Sequence, residues 1–170
     1  MRRHFFLRHF AATITLFFSA ALLHPVNAQE LQTKFGCNTT RTENGEKVIY
    51  ADDGEIHLNG NKIDTFRWES DQYRTLHGFD CSVDESDEPV AEVTESGTTP
   101  GWRVTLKNAA AARDRRGFDF YNHGKNCSIR LQREGDTLSI KPTCPALCGS
   151  RVNFTELSVN LKTGVCQHEE

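Results

Sequence analysis

Two stretches of the chain repeat one pattern of reactive residue types, His77-Gly-Phe-Asp-Cys81-Ser and His123-Gly-Lys-Asn-Cys127-Ser. A histidine beside a thiol can take its proton and leave a nucleophilic thiolate. That chemistry needs a free sulfur and a short nitrogen-to-sulfur distance. On extended chain, positions i and i+4 stand about 13 Å apart, so the pair works only if Gly78 or Gly124 bends it. The alternative is that both cysteines are oxidised and the repeat marks two anchored strand starts.

Other catalytic patterns are missing from the sequence. The four histidines beyond the leader, His57, His77, His123 and His168, are scattered, and no Cys-x-x-Cys or His-x-x-x-His pair is present. No metal and no other cofactor is therefore expected. Cys144 and Cys148 have three residues between them, a poor match to a redox pair. There is no Gly-x-Ser-x-Gly, P-loop or dinucleotide fingerprint. Acids such as Asp64, Glu69 and Asp119 can meet in space, but nothing in their spacing singles them out. No catalytic residue is assigned, and the chain is expected not to be an enzyme. The competing enzyme reading would use His77 or His123 as acid or base.

The compartment is read from the first 28 residues. Arg2, Arg3 and Arg8 precede the apolar run Ala11 to Leu23, and Val26-Asn27-Ala28 has the small residues of a cleavage site. The run is shorter than the roughly 20 residues that span a bilayer. Residues 1–28 are thus expected to be a signal peptide cleaved after Ala28, and residues 29–170 a single periplasmic or secreted domain with no stable membrane insertion. The whole chain has 20 Lys plus Arg against 23 Asp plus Glu, and the leader holds three Arg and no acid, which leaves 17 against 23 and a net charge of −6. That balance argues against nucleic acid and anionic lipid as partners and permits a cationic protein partner.

All six cysteines, Cys37, Cys81, Cys127, Cys144, Cys148 and Cys166, lie beyond the leader. An even number in an oxidising compartment predicts three disulfides. Turn residues recur every eight to twelve positions, as in a small all-β domain. The fold expected is mainly β, a small antiparallel barrel or sandwich with one short helix at about 108–116, where Asn108 caps an alanine run ending at Gly117.

Strands are expected at 47–50, 55–58, 62–68, 79–83, 90–94 and 102–106. Asn59-Gly60 is taken as a hairpin turn that sets Ile56 opposite Ile63. The best-specified element is the hairpin in "CSIRLQREGDTLSIKPTC". With Gly135-Asp136 as its turn, Arg133 faces Leu138, Leu131 faces Ile140, Ile129 faces Pro142 and Cys127 faces Cys144. A Cys127–Cys144 bridge follows, then Cys148–Cys166, and Cys37–Cys81 by subtraction. Near Thr155-Glu156 the apolar alternation changes phase, which predicts a bulge or a break between two strands.

This C-terminal half, from the Cys-started hairpin through Cys148-Gly149-Ser150-Arg151 to an amphipathic strand, resembles the small disulfide-bridged β domains of bacterial periplasmic proteins, the lysozyme-inhibitor-type families among them. The resemblance covers roughly residues 118–166 and carries over no inhibitory loop residues. It implies a compact scaffold that blocks a cationic hydrolase with acidic or polar loops. The matching acidic feature is Asp84, Glu85, Asp87 and Glu88, whose density of like charge predicts an exposed loop able to meet a basic partner. A solvated loop with no partner, in a purely structural envelope protein, is the plainer reading.

Overall fold

The computed structural model describes residues 29–96, 99–108, 127–143 and 154–169. They form strands β1 (Glu30–Glu43), β2 (Glu46–Asn59), β3 (Lys62–Tyr73), β4 (Gly78–Val83), β5 (Pro89–Ser96), β6 (Thr99–Leu106), β7 (Ser128–Glu134), β8 (Thr137–Pro142), β9 (Leu157–Asn160) and β10 (Cys166–His168). Within each sheet every strand lies antiparallel to the next in sequence, in one sheet ordered β1-β2-β3-β4 and another ordered β10-β9-β8-β7-β6-β5. Neither sheet closes on itself. Their inner faces share one apolar cluster, in which Ile56, Leu58, Trp68 and Val83 of the first sheet join Trp102, Ile129, Leu131, Ile140 and Val159 of the second. Burying each such side chain contributes about 1.5–3 kcal/mol.

Turn chemistry explains the long hairpins. Asn44 and Gly45 both take positive φ, at 51° and 83°, and join β1 to β2 so that Glu43 faces Glu46. This is the two-residue turn whose twist suits right-handed strands. The β7–β8 hairpin has the expected register, with Arg133 opposite Leu138, Leu131 opposite Ile140 and Ile129 opposite Pro142. The β2–β3 hairpin differs from expectation. Asn59 pairs with Lys62, so Gly60-Asn61 makes the turn, and Ile56 faces Phe66 rather than Ile63. A register shift beside His57 and Leu58 leaves Asp64 as an extra residue on β3.

The two sheets meet along β1 and β10. Gly36 and Val165 form a parallel bridge, Gly36 N–H donates to the Gly164 carbonyl at 3.1 Å, and Cys37 is bonded to Cys166. Gly164 has φ +72°, and a Cβ there would lie 2.5 Å from the Lys34 carbonyl oxygen, so no other residue fits without displacing backbone. On the other side Asn61 Oδ1 accepts from Val93 N–H at 2.7 Å, and Trp102 Nε1–H donates to the Gly60 carbonyl at 3.1 Å.

Several expectations about the fold are corrected. The chain forms two open antiparallel sheets, not a closed barrel, and the helical turn among the described residues is a 3-10 turn at Glu85–Asp87. The helix expected at about 108–116 falls, beyond Asn108, on residues outside those described, as does the signal peptide expected at 1–28. The described residues contain one complete disulfide, Cys37–Cys166, which rules out both Cys37–Cys81 and Cys148–Cys166. The subtraction failed because β10 returns to the β1 edge, a closure that local spacing does not encode. One bridge, not the three expected, is thus complete among the described residues; Cys81 and Cys127 are also disulfide-bonded, and the expected Cys127–Cys144 pairing falls on Cys144, outside the described residues. No helix among the described residues is long and apolar enough to cross a membrane.

Candidate functional site

The acidic segment after β4 is more ordered than a solvated charge run. Asp84 caps the 3-10 turn, accepting from Ser86 N–H at 2.8 Å, while the Asp87 carboxylate accepts from Asp84 N–H at 3.1 Å. This reciprocal cap holds two orphan backbone donors. Asp87 is fully buried, and its carbonyl also accepts from Lys107 N–H and Asn108 N–H at 3.1 and 3.0 Å. Asp84 and Asp87 are thus committed to building the turn.

Glu85 and Glu88 are left exposed and line one groove with Ile63, Asp64, Thr65, Phe66 and Pro89. Three carboxylates therefore border a floor with apolar content. Asp64 enters this group because it is the extra residue of the β3 irregularity. Its carboxylate already holds the Lys62 ammonium, and that contact keeps its pKa below the usual carboxylate range. Glu88 has φ 49°, a left-handed conformation that disfavours any side chain beyond glycine. The turn thus accepts backbone strain at one of the two carboxylates it presents.

The repeated histidine and cysteine pattern does not form a nucleophile at its first copy. Cys81 is buried and oxidised, and the exposed His77 ring packs edge-on against Phe79, with centroids 5.0 Å apart. At the second copy Cys127 is oxidised too, and His123 lies outside the described residues. His57 is half-buried, its Nε2 3.7 Å from Glu30 and 3.8 Å from Asp64. No group of three metal-ligating side chains occurs among the described residues.

Sequence reasoning missed a buried polar cluster. Asp52 Oδ2 lies 2.7 Å from His168 Nε2, and Asp52 Oδ1 accepts from Trp68 Nε1–H at 2.7 Å. The His168 and Asp52 side chains are 3% and 0% exposed, so the pair is shut off from solvent and links β2 to β10. His168 Nδ1 has no hydrogen-bond partner among the described residues. The signal was parity. Val48, Tyr50, Asp52, Ile56 and Leu58 share one buried face of β2. Farther along it, Tyr50 donates to Glu43 and accepts from Gln72 Nε2–H at 2.9 Å, and Arg74 pairs with Glu43 and Glu46. The Tyr50 hydroxyl, with help from Arg74, holds the Glu43 carboxyl below its ordinary range, while burial and then Glu43 push the Tyr50 phenol up.

No family model, curated protein or solved structure matches the chain. Its function has to be argued from its own geometry.

Proposed function

We propose that this chain is an exported binding module that receives a cationic side chain of a protein partner in the groove between β3 and the 3-10 turn. The observation that carries this reading is the placement of Asp64, Glu85 and Glu88 around Ile63 and Pro89. Lysine and arginine have an apolar stem and a charged tip, and a floor with apolar content under a carboxylate rim matches both parts. Lys62 on Asp64 shows the same pairing within the chain. The reciprocal cap holds the turn that forms one wall of the groove in place before a partner arrives, which lowers the entropic cost of binding. A basic cell-wall hydrolase of the lysozyme type is the partner class this chemistry suits, in the periplasm or outside the cell.

Titration of the purified chain against c-type lysozyme and a panel of basic cell-wall hydrolases tests the reading. Salt-sensitive binding that Glu85→Lys with Glu88→Lys weakens by tenfold or more is expected, about 1.4 kcal/mol. Asp84 and Asp87 are left unchanged in that variant because they hold the turn together. Absence of binding at low salt across the whole panel ends the proposal.

A further inference from the structure

The outer face of the second sheet carries an opposed pair of like charges. Arg103 on β6 and Arg130 on β7 are directly across from one another in register, and both are exposed. Opposed cations at this spacing, with Cβ atoms about 5 Å apart, destabilise a sheet. Neither guanidinium has a salt-bridge or hydrogen-bond partner among the described residues. The next cation in the row, Lys141, is opposite Arg130 and is neutralised by Glu156. Glu92 faces Arg103 from β5 without forming an ion pair.

The two arginines border a recess also lined by Thr94, Thr99, Gly101 and Gln132. Two hydroxyls and an amide thus stand beside two guanidiniums. A guanidinium presents parallel N–H donors that fit two oxygens of one anion. Two of them, side by side, fit a tetrahedral oxyanion better than a planar carboxylate, which one fork already satisfies.

We infer that the recess between Arg103 and Arg130 is a binding site for a phosphate or sulfate group, free or carried as an ester on a larger ligand. It is separate from the acidic groove and does not depend on the function proposed for that groove. The anion relieves the repulsion that the bare pair imposes on β6 and β7. Glu92 competes with it for Arg103.

The test is an NMR titration of the full chain at low ionic strength with inorganic phosphate, inorganic sulfate and acetate. Saturating shifts at the side chains of Arg103 and Arg130 and at the backbone of Gly101 and Gln132 are expected with phosphate or sulfate, and the tighter of the two identifies the ester class. Acetate should bind at least about tenfold more weakly, as should phosphate or sulfate to Arg103→Gln and Arg130→Gln. Both substitutions are at exposed positions and remove repulsion, so each variant should melt no lower than the parent. Glu92→Gln should tighten binding severalfold. Non-saturating shifts with both oxyanions, equal binding of acetate, or variants that bind like the parent would each overturn the proposal.

Discussion

The inner faces of the two sheets are built by different physics. From β5 to β9 the buried positions are apolar, with Ala91, Val104, Leu131, Ile140 and Leu157 as examples, except for Ser128 at the start of β7. From β1 to β4 half of the inner face is apolar, while the other half buries Tyr50, Asp52, Ser70 and Gln72. Burial alone can assemble the first face, since apolar contact is not directional. The second requires named partners at hydrogen-bond distance, because an unpaired buried polar group costs the full loss of its hydration. The outer faces contrast in sign. Asp53 faces Glu69 on the first sheet, and Arg103 faces Arg130 on the second.

If the polar face depends on specific partners, breaking the buried pair should have the largest effect. Asp52→Ala strands both Trp68 Nε1–H and His168 and should cost about 3–5 kcal/mol in chemical denaturation. The double variant Asp52→Ala/His168→Ala should cost less than the two single losses added together. A loss below about 1 kcal/mol for Asp52→Ala would remove the distinction between the faces. Cys37→Ser with Cys166→Ser comes next, at about 2–5 kcal/mol, because the bridge closes a very long loop. That cost should vanish if the apolar face alone holds the sheets together.

Acid provides a finer test. The Glu43 carboxyl titrates below the ordinary glutamate range, chiefly through the Tyr50 hydroxyl. Its contribution is complete above the unfolded value and is lost as pH falls through the lower folded value. Parent and Glu43→Gln should therefore differ most at neutral pH and converge in strong acid, as read from denaturation midpoints across that range. The smallest effect is expected at Asp53, whose pKa is raised by burial and then by Glu69. Its ionised form opposes folding above pH 3.8, so Asp53→Asn should be slightly more stable than the parent at pH 7. The gain should fade as pH drops toward that value.

The same contrast governed what could be read from sequence. The β7–β8 hairpin was legible to the residue because Ile129, Leu131, Leu138 and Ile140 alternate without interruption around Gly135-Asp136. The middle of β2 was not. Asp52, Asp53 and Gly54 resemble a loop when only apolar residues are counted, yet the strand runs straight through them to meet His168. Nor was β1, whose second half alternates half-buried and exposed polar residues. Of the four acids expected to form one exposed loop, the structure separates Asp84 and Asp87, which build the turn, from Glu85 and Glu88, which face the groove. Asp64 joined them only through a register shift that its spacing from the turn does not reveal.

The bridge from Cys37 to Cys166 spans 129 positions and joins the first strand to the last. A chain emerging from its N-terminal end first would complete every other strand pairing before this seam can form. Until then the β1 edge lacks even its one bridge, Gly36 to Val165, and its backbone donors and acceptors are open to the corresponding edge of a second molecule. Folding of this protein thus has a vulnerable interval, longest when oxidation of Cys37 and Cys166 is delayed, in which its own neighbours compete with β10.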